Sequence, residues 1–306
     1  MVNTAQPVEG EHAAAEHGGR EVFNAGEVII EHVSNSSIEH PILHLPKIAG
    51  IDFSVTKHVM MMWLVAGFLF FTITLATRRY LAQERKIPTG FMNALEWLVQ
   101  FIRDSIVLPN VGVKFVNTWA PLILTLFVFI LASNAVGLIP IFEIFGLIDR
   151  FILLNSPESE SLINSVLHGG TTTTANYNVT AALATITFFA IILAGTLAHG
   201  FVSHWRNLVP SGLAWPIYIL LIPIEIISYL SRPISLSVRL FANMLAGHTL
   251  LKVFAGFVIS LGIVAGWLPL AFIVALTGLE IVIAFLQAFV FAILTCLYLN
   301  DALYLH

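Results

Sequence analysis

Residues 213–251 read LAWPIYILLIPIEIISYLSRPISLSVRLFANMLAGHTLL, and residues 253–300 form a second apolar stretch of at least this length. A helix rises about 1.5 Å per residue, so each stretch would reach about 60 Å or more, twice the roughly 30 Å of bilayer hydrocarbon. Each must therefore tilt steeply, bend, or run partly along the membrane. Both contain residues at which helices bend: Pro216, Pro223, Pro233, Gly262, Gly266, Pro269 and Gly278. The turn between the stretches is predicted within residues 255–267.

The composition indicates an integral membrane protein. Of the 306 residues, 58% are hydrophobic and only 10% are charged, whereas about 25% are charged in soluble domains. Three shorter apolar segments, each long enough to cross the hydrocarbon, lie at residues 58–77, 117–139 and 178–201. In residues 90–107, apolar positions recur every three or four residues, which predicts an amphipathic helix at the membrane interface. The predicted fold is an all-α integral membrane protein with about five membrane-inserted helices, an interfacial amphipathic helix, and a long, strongly tilted hairpin formed by the last two helices.

The charge distribution predicts how the chain is oriented. Residues 1–57 carry eight acidic residues against three basic ones and form an N-terminal extension, ahead of a membrane domain at residues 58–306. The segment 78–86 contains four basic residues directly after the first span, and the positive-inside rule places it in the cytoplasm. We therefore expect the extension to lie outside, residues 140–177 to form an external loop, and the C-terminus to lie in the cytoplasm.

Arg239 is the residue that most strongly indicates a function. It lies within the apolar stretch 213–251, and an Arg at the bilayer centre costs from roughly 3 kcal/mol to more than about 10 kcal/mol. Its guanidinium cannot escape this cost by losing a proton. On a helix it shares a stripe of polar and small residues: Glu225, Ser228, Arg232, Ser235, Ala242 and Ala246, with Asn243 one turn beyond. For Arg232, nearer the start of the stretch, a snorkelling or structural role is as consistent as a functional one.

Further polar residues are predicted to face this stripe. Glu280 and Gln287 are seven residues apart and share one face of the second limb, while His248 follows the first limb. An acid and an imidazole on opposing limbs can relay a proton through water, or can form a hydrogen-bonded pair that locks the hairpin. Asn134 and Asn176 lie in or beside the second and third spans, where polar residues are often only interhelical hydrogen-bonding groups.

Some classes of chemistry have no matching motif in the sequence. There is no phosphate-binding Gly-rich loop followed by Lys, no Cys cluster and no paired in-span His at haem-ligand positions. Nucleotide hydrolysis and electron transfer are therefore not assigned to this chain. We expect no cofactor, no metal site and no catalytic site in the chain alone.

Three motifs resemble those of one known family. Residues 231–247 read SRPISLSVRLFANMLAG, residues 286–295 read LQAFVFAILT, and residues 133–140 read SNAVGLIP. From residue 58 to the C-terminus, the chain closely resembles subunit a of F-type ATP synthases. The resemblance implies a proton-translocating stator subunit, with two aqueous half-channels beside a rotating ring of c subunits, that couples proton flow to ATP synthesis or hydrolysis. It also implies the c ring, peripheral-stalk b subunits, lipid and protons as partners, no nucleic acid, and a bacterial inner membrane.

The resemblance implies roles for individual residues. Arg239 matches the family's essential Arg beside the ring, Gln287 matches the Gln that faces it, and Asn243 matches the Asn one turn beyond. Glu225 matches a polar position in the half-channel on the cytoplasmic side. These four residues are expected to lie along the proton route.

His248 and Glu280 match an acid and imidazole pair of the other half-channel. In many bacterial members the Glu comes first and the His second, and the order is exchanged here, as in mitochondrial members. Three further residues are candidate channel-lining positions: Asn176, Ser235 and Asn134.

Two other classes of function remain open from the residues alone. In a secondary transporter, Arg239 would bind an anionic substrate, but such folds usually show inverted repeats, which this sequence lacks. In a purely structural scaffold, the charges within the spans would have no purpose. Saturable uptake by the chain alone in liposomes would favour the transporter.

Overall fold

The computed structural model describes residues 56–83, 87–138, 172–206 and 215–304. All regular secondary structure within these ranges is helical, which confirms the predicted all-α class. Five of the described helices are long and apolar enough to cross a membrane, in agreement with the predicted number. The acidic extension up to residue 55, the last residue of the span predicted at 117–139, and residues 140–171 of the predicted external loop lie outside the described ranges.

The described part of the chain contains eight α-helices, one π-helical segment and one 3-10 turn. In chain order they are α1 Lys57–Leu81, α2 Phe91–Gln100, a π-helical segment Phe101–Val107, α3 Leu108–Val111, α4 Val116–Leu138, a 3-10 turn Thr173–Ala175, α5 Tyr177–His199, α6 Phe201–Arg206, α7 Trp215–Ala265 and α8 Trp267–Leu303. α1 continues four residues past the segment predicted at 58–77, because Arg78 and Arg79 are good helix formers that prolong it.

The break between α7 and α8 comes later than the apolar stretches indicate. α7 continues beyond residue 251, because Lys252, which separates the two stretches, interrupts the hydropathy without breaking a helix. The break lies at Gly262, whose φ of 64° and ψ of −167° favour glycine. The Gly266 N–H donates to the Gly262 carbonyl at 2.8 Å, and α8 begins at Trp267. The break thus falls inside the turn predicted at residues 255–267.

The segment predicted as an amphipathic helix at residues 90–107 packs partly against protein. α2, the π-helical segment and α3 run in succession from Phe91 to Val111. Ile102, Ile106 and Val107 are almost fully buried, and Phe101 stacks on Phe289 of α8. The apolar face therefore anchors the second half of this segment to α4 and α8.

The core forms where α4, α5, α7 and α8 meet. Phe127 of α4, Ile191 of α5, Leu240 of α7 and Phe291 of α8 are each at most 2% exposed. In an apolar 18-residue segment of α1 and of α7, only 11% of the residues are buried, against 39% in the corresponding segments of α5 and α8. α7 therefore packs along one side and leaves a long apolar face uncovered, with Ile219, Ile227, Ile234 and Val238 among its exposed side chains.

Candidate functional site at the hairpin

Arg239 lies on the uncovered face of α7. Its side chain is exposed, and no described residue forms a hydrogen bond or ion pair with it. Val238 beside it is 45% exposed, whereas Leu240 on the other side is fully buried in the core. The helix thus holds the guanidinium at the edge of an open apolar surface.

Gln287 and Asn243 connect the two limbs one turn beyond Arg239. The Asn243 Nδ2 donates to the Gln287 Oε1 at 2.8 Å. Gln287 is only 4% exposed, while Asn243 is exposed. The resemblance implied that Gln287 faces Arg239, and in the structure its hydrogen bond is with Asn243, one turn farther along α7.

His248 and Glu280 also meet across the hairpin. The His248 Nδ1 lies 3.8 Å from the Glu280 Oε1, and the Thr172 hydroxyl forms a hydrogen bond with the His248 Nε2. Glu280 is 4% exposed, and neither of its carboxylate oxygens has a hydrogen-bond partner among the described residues. An added Cβ on Gly247 would overlap this carboxylate, so the glycine leaves the space that Glu280 occupies.

A cavity of about 200 Å³ is lined by one member of each pair, Asn243 and Glu280. Asn243, Gly247 and Glu280 form its polar part, and Leu250 and Ile283 are among its apolar lining. Since one water takes up about 30 Å³ in the liquid, the space holds several waters. Water there would contact both the Asn243 amide and the Glu280 carboxylate.

Asn134 forms hydrogen bonds that connect three segments. Its Nδ2 donates to the Ala284 carbonyl of α8 at 3.3 Å, and its Oδ1 accepts from the Thr174 hydroxyl at 2.7 Å. Asn176 instead caps α5, because its Oδ1 accepts from the Asn178 N–H at 2.8 Å. Both side chains have structural partners, and their lining of a channel remains a prediction.

Glu225 and Ser235 lie on α7 before Arg239. Glu225 is half-buried, fourteen positions ahead of Arg239, which corresponds to about 21 Å along a straight helix. Ser235 is exposed one turn before the Arg. The structure therefore places Glu225 far along α7 on one side of Arg239, and the cavity beside Asn243 on the other.

Arg232 has a different environment from Arg239. Its Nη1 lies 3.2 Å from the Asp301 Oδ2, and its guanidinium stands 5.0 Å from the Tyr298 ring centroid and 5.5 Å from that of Tyr229. These contacts join α7 to the end of α8. They support the structural alternative for Arg232.

A second buried polar group lies in the short helix α6. His204 is fully buried against Trp205 and Tyr229, and neither ring nitrogen has a hydrogen-bond partner among the described residues. Burial, together with the nearby His199, lowers the pKa of His204 below its ordinary value. The imidazole is therefore held neutral. No sequence motif predicts a role for His204.

Comparison with known proteins gives one consistent result. The family described as ATP synthase A chain matches residues 59–300, a range that contains Arg239, Gln287, His248 and Glu280. The chain is similar to ATP synthase subunit a 2 of Prosthecochloris aestuarii, with 36% identity over 97% of this chain and 85% of the relative. It is also similar to ATP synthase subunit a of Rhodospirillum rubrum, with 42% identity over 85% and 93%. A third relative, ATP synthase subunit a of Pelagibacter ubique, is 63% identical over 44% of this chain and 55% of the relative.

Proposed function

Because the chain belongs to the ATP synthase A chain family and is thus a subunit of the proton-translocating membrane sector, we propose that it is the stator half of a rotary proton path, with Arg239 at its centre. In this proposal Arg239 separates two aqueous half-channels and faces a ring of c subunits. Peripheral-stalk b subunits would hold the chain fixed against the ring. The proposed location is a bacterial inner membrane, with the N-terminus outside and the C-terminus in the cytoplasm.

The observation that carries this proposal is the exposure of Arg239 on an apolar face. A permanent cation held at membrane depth is costly unless an opposite charge approaches it. The described part of the chain supplies no acid to it. A carboxylate on a neighbouring subunit is the partner that fits this geometry. The long uncovered face of α7 supplies the apolar surface for such a neighbour.

The electrostatics of this arrangement give Arg239 two tasks. Attraction between opposite charges is strong at low dielectric, so a ring carboxylate beside Arg239 is favoured in its ionised form and releases its proton. A bare carboxylate facing lipid is prohibitively costly, so it must take up a proton before it leaves. The fixed charge of Arg239 also repels protons and blocks their direct passage between half-channels.

The two half-channels are proposed on opposite sides of Arg239. On one side, the cavity at Asn243 and Glu280, with His248 next to the carboxylate, supplies water and titratable groups. On the other side, Glu225 supplies an acid on α7, in the half-channel open to the cytoplasm. Ser235, Asn134 and Asn176 remain candidate lining residues.

Substitution of Arg239 tests the proposal in membranes that contain the assembled complex. We expect Arg239→Ala to abolish ATP-driven proton pumping, measured by quenching of a pH-sensitive dye in inverted vesicles, and to leave the membrane sector leaky. Arg239→Lys should also fail, because a desolvated Lys can release its proton. Arg103→Ala is the matched control, since Arg103 is an exposed cation outside the hairpin, and among the described residues its ion pair is with its neighbour Asp104.

Two results would overturn the proposal. Coupled ATP synthesis at the wild-type rate in Arg239→Ala membranes would remove Arg239 from the proton path. Wild-type coupling in Arg239→Lys would show that permanence of the charge is unnecessary. Loss of pumping in Arg103→Ala as well would point to a general effect of removing positive charge.

A further inference from the structure

A second cavity lies between the end of α1 and the start of α2, away from the hairpin. Its volume is about 410 Å³, within the size range of small-ligand sites. Nothing in the proposed proton path uses it. Its residues come from the last turns of α1 and from the first turn of α2 with the connection before it.

The polar side of this cavity can donate hydrogen bonds to an anion. Arg79 lines it from the last turn of α1, is exposed, and forms no ion pair or hydrogen bond with a described residue. Gln83 and Thr89 add an amide and a hydroxyl. A guanidinium presents five N–H donors in a planar fork, which matches the geometry of a phosphate group.

The other side of the cavity is apolar. Leu75, Phe91 and Met92 line it, and Leu75 and Phe91 are 53% and 56% exposed. α1 continues from this wall with Phe68 and Phe71, which are 63% and 72% exposed. The cavity is thus continuous with an exposed apolar face of a helix long and apolar enough to cross a membrane, and Arg79 lies in the last turn of this helix.

We propose that this cavity binds the headgroup of one anionic phospholipid, with Arg79 on the phosphate and the apolar wall against the glycerol and the upper acyl chains. A soluble phosphate would satisfy Arg79 but would leave Leu75 and Phe91 exposed to water. A protein helix would cover the apolar wall but would have to bury the guanidinium beside it. A phospholipid matches both halves, since its charge and its chains meet at the depth where α1 ends.

The test uses the purified, delipidated ATP synthase complex and a photoreactive phosphatidylglycerol whose acyl chain carries a diazirine. After illumination, mass spectrometry maps the labelled peptides from α1 and α2. We expect labelling at Leu75, Phe91 or Met92, reduced at least about tenfold in Arg79→Ala, the scale of one charge-assisted hydrogen bond. Arg78→Ala is the matched control, because Arg78 has the same charge one position away but does not line the cavity.

Competition separates the sources of the phosphate. Excess unlabelled phosphatidylglycerol should remove the label, while phosphatidylcholine and inorganic phosphate at the same concentration should not. Arg79→Lys should retain part of the label, and this variant keeps the test decisive if Arg79→Ala fails to assemble.

Four outcomes would overturn the proposal. Equal labelling in wild type and Arg79→Ala would remove the cation from the site. An equal loss in Arg78→Ala would show only a general attraction of basic residues for anionic lipid. Displacement by inorganic phosphate would identify a soluble anion as the ligand, and labelling of another subunit in place of α1 and α2 would show that a protein helix covers this wall. None of these results depends on the role of Arg239.

Discussion

Gly247→Ala tests whether the position of the Glu280 carboxylate controls proton flow. An ideal Cβ at residue 247 would overlap the Glu280 Oε1 and lie 3.0 Å from its Cδ and 3.3 Å from its Cγ. Because carbon atoms normally pack at about 3.5–4.0 Å, the carboxyl group must move by roughly 0.5–1 Å. Glu280 is 4% exposed, so this displacement disturbs the cavity and the contact with His248.

The size of the expected effect follows from that displacement. Overpacking a tightly filled site costs about 1–3 kcal/mol. A displacement of about 1 Å at a reacting group can reduce a rate on the order of 100-fold. We expect proton conduction through the membrane sector to fall by about tenfold or more in Gly247→Ala, while the complex still assembles.

The assay is passive proton conduction in vesicles stripped of the soluble part of the complex, measured at a fixed potential. Gly67→Ala is the matched control, because an added Cβ there meets nothing within 4 Å. Replacing Glu280 by Asp in the Gly247→Ala background shortens the side chain by one methylene and should restore part of the conduction. Wild-type conduction in Gly247→Ala, or an equal loss in Gly67→Ala, would refute this reasoning.

Two further predictions concern residues with structural surroundings. Arg232→Ala removes the contacts with Asp301 and Tyr298. We expect it to destabilise the complex by about 1–2 kcal/mol, measured as a lower melting temperature. Loss of coupling with an unchanged melting temperature would instead place Arg232 in the proton path. The pKa of His204 is lowered below 6.5 in the folded protein, so protonation of its imidazole opposes folding. In the unfolded chain the pKa is about 6.5. The free energy of unfolding should therefore be highest above pH 6.5 and decline as the pH falls below it. His204→Phe should flatten this slope in melting curves from pH 8 to 5.5, and an unchanged slope would mean that other groups cause it.

The placement of His248 and Glu280 on opposing limbs was enough to predict that they could approach each other, but the hydrogen bond between Asn243 and Gln287 was not predicted. Asn243 with Gln287 and His248 with Glu280 each lie nearly symmetrically about the turn, as expected for antiparallel helices. The same symmetry pairs Arg232 with Asp301. This contact was not predicted, because Asp301 lies beyond the end of the apolar stretch 253–300.

Other features depend on tertiary packing that no local pattern carries. Thr172 contacts His248, which lies 76 positions later in the sequence. Helical periodicity relates residues within one helix, so it cannot predict a contact between a residue before α5 and one on α7. His204 lies beside Arg206 in a short polar segment, which indicates a solvated turn, yet tertiary packing buries it completely. The apolar stretch ends at Lys252 although α7 continues beyond it, while the break itself, set by the positive φ of Gly262, lies within the predicted turn at residues 255–267.

The exposure of Arg239 also bears on biogenesis. A copy inserted before its neighbours would hold this guanidinium against lipid, at a cost of roughly 3 kcal/mol or more, and would draw water or lipid phosphates toward the middle of the bilayer. We expect a subunit without its partners to thin the bilayer locally and to be degraded faster by proteases. We therefore expect the solitary chain to be less stable in lipid than the same chain with a partner that covers the exposed face of α7.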